Sequence, residues 1–225
     1  MNNDFFNCQE VQDAKLYLNK RKKDLILKLI FDKVLALILL ILFSPIFFIL
    51  GVMIKLEDKG PVFYRQERVT KNGKIFKIYK FRTMVLNADK IGSLVTTEND
   101  SRITKIGSVI RKYRLDEIPQ LLNIIEGDMS FVGARPEVLK YVQNYTDEMK
   151  VSLLLPAGVT SRSSIEFKDE EILIKKYTKS GLTVDQAYIE KILPRKMHRN
   201  IEYVYNFNFF DDLTIMVSTV INVMK

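Results

Sequence analysis

Apolar and polar positions divide the chain into three regimes. From Val34 to Ile54 no residue carries a charge. At about 1.5 Å per residue, a helix of that length reaches across a hydrocarbon core of about 30 Å. Pro45 interrupts it midway, where a proline breaks or kinks a helix. Both flanks, 15–33 and 59–90, are rich in Lys and Arg. Positive flanks favour the cytoplasmic side, and a spanning helix would send one of them across. A helix–break–helix hairpin that enters and leaves on one face satisfies both flanks. A kinked transmembrane helix is the alternative, and these residues alone do not choose between them. Ser44 is placed to bond the carbonyl that Pro45 frees. No small-residue cleavage site follows the run, so it is expected to stay in the mature protein.

After the run the period changes. Aromatic and β-branched stretches on either side of Asn72-Gly73 predict a β-hairpin between Pro61 and Met84. A helix turn and a polar loop are expected over 86–102. Ile103, Ile106 and Ile110 share a face of a helix over 104–113. Pro119 sets the start of another, from about Asp116 to Ile125, because proline is tolerated in a first turn. A helix is expected over 138–155, a turn over 156–161 and an alternating stretch over 161–167. The acidic group Asp169-Glu170-Glu171 reads most plainly as a solvated helix start. Thr183, with Gln186 three residues on, caps a helix running to Arg199. The segment 201–225 is aromatic, then apolar, and reads as an interfacial or docked helix.

Composition narrows the possibilities. The 225 residues carry a formal net charge of +8, which suits an anionic partner such as nucleic acid, lipid headgroups or phosphorylated substrates. One cysteine, Cys8, and one histidine, His198, exclude an intrachain disulfide and a Cys/His zinc site. No nucleophile-elbow, Walker or dinucleotide motif is present.

The candidate chemistry lies in Arg111–Glu137. Asp116 and Glu117 stand side by side within a basic surround. At a helix start, free N–H groups and the dipole keep Asp116 ionised, so it can attack phosphorus. Glu117 beside it can hold a divalent cation. An ordinary acidic cap on a solvated helix explains the same two residues, and acidic caps are common.

Longer motifs decide between these readings. Arg111, Asp116-Glu117, Pro119-Gln120-Leu121 and Asn123, then Gly127-Asp128-Met129-Ser130, Val132-Gly133 and Arg135-Pro136, together resemble the bacterial sugar transferases. These are small membrane-associated phosphoglycosyl transferases, and the resemblance runs from about Lys28 to Val220. Lys80-Phe81-Arg82-Thr83-Met84 resembles a further segment of that family, as does the Ser44-Pro45 pair in the membrane helix. Ala134 departs from the family, which has proline there. So does Ser161-Arg162, where a glycine and an apolar residue are usual.

The resemblance implies an α+β, mostly helical fold: a re-entrant membrane helix, a small β-hairpin and a membrane-apposed helical catalytic domain. The corresponding divisions are a basic lead-in 1–27, the membrane helix 28–58 and a cytoplasmic catalytic domain 59–225. It implies transfer of a sugar-1-phosphate from a UDP-sugar to polyprenyl (undecaprenyl) phosphate at the cytoplasmic face of the bacterial inner membrane, which initiates a surface glycan. UMP leaves, and an aspartyl phosphosugar is the intermediate. Asp116 would be the nucleophile and Glu117 the ligand of Mg²⁺. Lys80, Arg82, Arg111 and Arg135 would bind the anionic substrates. The plain alternative for Arg135 is a strut to Asp128 or Glu137. No nucleic-acid partner is expected. The rival from another class is a non-catalytic, membrane-anchored basic module, which leaves the paired carboxylates without a role.

Topology is directly testable. In a Cys8→Ser background, Lys20→Cys and Lys71→Cys are both expected to be shielded from an impermeant thiol reagent outside intact cells. Labelling at Lys20→Cys from outside would show a span.

Overall fold

The computed structural model describes residues 3–88 and 100–224. The loop expected across 89–99 lies outside them. Helix α1 spans Gln9–Lys20, and α2 runs from Lys22 to Asp58. A hairpin follows, β1 (Phe63–Val69) against β2 (Ile75–Phe81), antiparallel, with Phe63 opposite Phe81 and Val69 opposite Ile75. Asn72 takes a left-handed φ of 56° in its turn, which the predicted Asn-Gly pair allows. Then come α3 (Lys105–Lys112), a 3-10 turn at Leu115–Glu117, α4 (Gln120–Glu126) and β3 (Met129–Val132).

Beyond β3 lie α5 (Leu139–Val142), α6 (Asp147–Lys150), a 3-10 turn at Val151–Leu154 and β4 (Ala157–Thr160). The chain closes with α7 (Arg162–Glu166), α8 (Glu170–Lys179), α9 (Val184–Ala187), a π-helical turn at Tyr188–Ile192, α10 (Leu193–Tyr205) and α11 (Phe209–Met224). Among the described residues the fold is mostly helical, with one small antiparallel hairpin and one long apolar helix, as expected.

Several local expectations need correction. The helix expected over 138–155 is three short pieces, because Thr146 caps a new start at Asp147 through its side chain. The turn expected over 156–161 is β4, paired in parallel with β3. A four-residue buried strand is too short to show a period. The pair depends on two glycines: a Cβ on Gly158 would lie 2.1 Å from the backbone nitrogen of Gly133. The stretch 161–167 is α7, with Ser161 accepting from the Ser164 N–H as its cap. The last segment breaks after Tyr205, so α10 and α11 are separate.

Within the expected lead-in 1–27, helix α1 supplies core. Val11, Ala14 and Leu18 of α1 are buried beside Leu153 and Leu154, and beside Met197 and Val204 of α10. Helix α2 continues through Pro45 as one hydrogen-bonded helix, so the expected break is not a gap in it. Ser44 Oγ donates to the Ile41 carbonyl at 2.8 Å, the acceptor that Pro45 leaves without its N–H.

Helix α2 is long and apolar enough to cross a membrane by length and composition. Ile41, Leu42 and Phe48, on either side of Pro45, are exposed. Both ends, by contrast, are fastened to one body. Near the start, Lys28 donates to Asp212 of α11 at 2.5 Å and to the Val132 carbonyl of β3 at 2.9 Å. Asp32 accepts from Ser130 at 2.6 Å. Near the end, Leu50 and Ile54 pack on Phe81 and Ile110, and Asp58 pairs with Arg82. Strand β2 packs on α4, α4 on β3, and β3 on α11, so these anchor points belong to one contiguous core.

Candidate active site

Three segments converge on one carboxylate. Lys80 comes from the outer half of β2, Glu117 from the 3-10 turn before α4, and Arg135 from the loop after β3. Glu117 Oε1 accepts from Lys80 Nζ at 2.8 Å and from Arg135 at 2.7 Å. Burial works to raise the Glu117 carboxyl. Arg135 and Lys80 more than offset it and hold the group well below the usual carboxylate range. Glu117 in turn raises the Arg135 guanidinium further above its ordinary value. Among the described residues Arg135 pairs with Glu117 and with neither Asp128 nor Glu137; Asp128 pairs with Lys74 at 2.5 Å.

Asp116 has the opposite character. It is 9% exposed. Burial pushes its carboxyl up, and neighbouring Glu117 adds to that, against the pull of Lys80 and Arg111. The expected N-cap position is corrected here. Helix α4 starts at Gln120, with Pro119 as its cap residue, and both carboxylates precede it in the 3-10 turn. Arg114 enters that turn in the left-handed region at φ 56°. Without the helix-start N–H groups, burial dominates at Asp116.

The structure thus brings Lys80, Arg111, Asp116, Glu117 and Arg135 together. It places Arg82 elsewhere: 6% exposed, paired with Asp58 at the end of α2. Arg82 keeps one buried NH1 without a partner among the described residues. Gln120 is 1% exposed, and its side-chain nitrogen is likewise unpartnered among them. Paired carboxylate oxygens suit a hard cation such as Mg²⁺. Glu117 is held ionised and spends only Oε1 on the two cations, so the donor set fits.

Much of the matched motif is scaffold. Asn123, fully buried, accepts from the Tyr79 N–H at 2.8 Å and donates to the Lys77 carbonyl at 3.0 Å, which fixes α4 on β2. Gly127 closes α4 at φ 84°. Ser130 serves α2 through Asp32.

Behind Arg135 lies a buried group that motif reading missed: Glu137, Tyr188 and Lys196, with Glu170 beside them. Only Glu137, two residues past Arg135, gave a hint. Tyr188 and Lys196 are distant in sequence and lie in a helix that reads as an ordinary capped one.

The described residues thus combine a small hairpin, one helix long and apolar enough to cross a membrane, and a carboxylate pair under Lys and Arg. Residues 23–225 match the family model described as bacterial sugar transferase, and the chain belongs to that family. It is similar to EpsL of Bacillus subtilis, an uncharacterized sugar transferase: 34% identical over 200 residues, 89% of this chain and 88% of that protein. It is 44% identical over 118 residues to the UDP-N-acetylgalactosamine-undecaprenyl-phosphate N-acetylgalactosaminephosphotransferase of Aeromonas hydrophila, covering 52% of this chain and 28% of that one. It is 32% identical over 193 residues to the UDP-glucose:undecaprenyl-phosphate glucose-1-phosphate transferase of Escherichia coli, 84% of this chain and 38% of that one. The chain thus spans well under half the length of the last two.

The electrostatics of the pair predict a stability signature. A raised Asp116 pKa means that its favourable contribution is full below about pH 4, the ordinary Asp value, and is lost as pH rises through the folded value. Asp116→Asn, isosteric and neutral, is therefore expected to melt higher than wild type at neutral pH. The difference should vanish near pH 4. Equal melting temperatures at neutral pH would contradict the burial assigned to Asp116.

Proposed function

We propose that this chain transfers a sugar-1-phosphate from a UDP-sugar to polyprenyl phosphate, such as undecaprenyl phosphate, and releases UMP. The observation that carries this reading is the pair Asp116–Glu117, adjacent in sequence and opposite in electrostatics, beneath Lys80, Arg111 and Arg135. Two relatives are named for transfer to undecaprenyl phosphate, with UDP-N-acetylgalactosamine and UDP-glucose in their names. Phosphoryl transfer needs positioning and charge stabilisation more than elaborate covalent machinery.

Asp116 is the nucleophile. An ionised carboxylate that burial destabilises is poorly solvated and reactive, and Lys80 and Arg111 keep the anion accessible. Its oxygen attacks the sugar-bearing phosphorus. The bond from that phosphorus to the bridging oxygen breaks, and UMP departs with the electron pair. An oxygen of polyprenyl phosphate then attacks the aspartyl phosphosugar and frees Asp116. Lys80 and Arg135 turn from Glu117 toward the diphosphate as charge develops on it. Glu117 would hold Mg²⁺, which neutralises diphosphate charge when bound.

The anchoring of α2 supports a re-entrant, monotopic placement. Lys28–Asp212 and Asp58–Arg82 fasten both ends of the helix to one core, and one core lies on one side of a bilayer. The exposed apolar residues around Pro45 then enter the cytoplasmic leaflet of the inner membrane. The sugar-phosphate site beside β2 faces the headgroups where the lipid phosphate lies.

Release of UMP over a panel of UDP-sugars with undecaprenyl phosphate tests the reading. At least one donor is expected to give UMP, and Asp116→Asn to give none. Arg135→Lys keeps the charge but loses the planar fork, so a loss of roughly tenfold or more is expected. Full activity of Asp116→Asn would overturn its role as nucleophile.

A further inference from the structure

The group behind Arg135 is buried and closed on itself. Glu137 is 6% exposed and Lys196 4% exposed. The Tyr188 hydroxyl donates to Glu137 Oε1. Lys196 Nζ donates to that hydroxyl at 3.0 Å and to Glu170 at 2.9 Å, and lies 3.5 Å from Glu137. The backbone of the same loop is held from the hairpin. The Arg68 guanidinium donates to the Pro136 carbonyl at 3.0 Å, and the Val69 N–H donates to the Glu137 carbonyl at 2.9 Å. Residues 136 and 137 are therefore fixed at backbone and side chain, immediately after Arg135.

The helix is adjusted to make this contact. Lys196 lies eight positions after Tyr188. On a regular α-helix they would point about 80° apart, from about 100° per residue. The π-helical turn at Tyr188–Ile192 absorbs one extra residue and brings the two onto nearly the same face. A wide turn of this kind is uncommon and is frequent at functional sites. Salt bridges this deeply buried gain little stability over apolar packing of the same volume, and fixing a single geometry is their best-attested use. Glu137 and Glu170 also add to the field that keeps Arg135 charged.

We propose that Glu137, Tyr188 and Lys196 are positioning residues: they lock the 133–137 loop and so set the reach of the Arg135 guanidinium toward a diphosphate. The proposal rests on the reading of Arg135 as a diphosphate-binding residue, and it assigns the π-helical turn a function.

Calorimetric titration of the detergent-solubilised full chain with UDP, alongside UMP release, tests it. Tyr188→Phe removes one hydroxyl and keeps the ring, and is expected to weaken UDP binding roughly fivefold or more. In the Arg135→Lys background the same change should add nothing, because both act through one guanidinium. Glu137→Gln keeps an acceptor for Tyr188 but loses the charge facing Lys196, and should show the same non-additivity. Independent, additive losses would make the network merely structural and overturn the proposal. So would UDP affinity unchanged in both variants, or no UDP binding by wild type. If wild type binds UDP with the expected non-additivity but releases no UMP from any UDP-sugar, the proposed reaction falls and the positioning role stands.

Discussion

One carboxylate oxygen holds the site together. Glu117 Oε1 receives Lys80 from the hairpin and Arg135 from the loop after β3, so three segments far apart in sequence meet at one atom. Moving three charges out of water is costly, and a buried ion pair of this kind does not justify itself by stability. Its consequence is geometric. Two cations are held at one carboxylate beside Asp116. The same arrangement sets the pair's electrostatics: Glu117 is ionised because it is doubly paired, and Asp116 is strained toward neutrality because it is buried.

The fold serves this meeting point from two sides. Asn123 fixes α4 to β2, so the turn carrying both carboxylates cannot drift from Lys80. The close approach of Gly133 and Gly158 brings β3 against β4 and launches the Arg135 loop from a rigid edge. Helix α2 runs along the same core, with Lys28 and Asp32 at one end and Asp58 at the other. This anchoring ties the apolar helix directly to the elements that carry the site.

Much of this was legible in the sequence. The Asn-Gly hairpin, the apolar helix, the Thr183 capping box and the carboxylate pair each have a local signal, and each was found. Ser44 even takes the carbonyl that Pro45 frees. What failed was non-local. Strands β3 and β4 are four residues each and pair in parallel across a long connection, so neither period nor turn chemistry marks them. Asp116 sits in a 3-10 turn instead of at a helix start, and Arg114 enters that turn in a left-handed conformation, a preference its side chain does not announce. Arg82 stands in a matched motif, yet its ion pair depends on where α2 ends. Tyr188 and Lys196 meet Glu137 from far along the chain, in a helix with one widened turn, which no residue pattern indicates.

The central claim is that Asp116 carries the sugar phosphate between two substrates of opposite polarity. The most direct measurement incubates the protein with a UDP-sugar that supports turnover, without lipid acceptor, and determines the mass of the peptide containing Asp116. The account predicts UMP release of up to one equivalent and a phosphosugar adduct on Asp116 that disappears when undecaprenyl phosphate is added. If no adduct forms and UMP emerges only when both substrates are present, the lipid phosphate attacks the donor directly, and the covalent account is wrong.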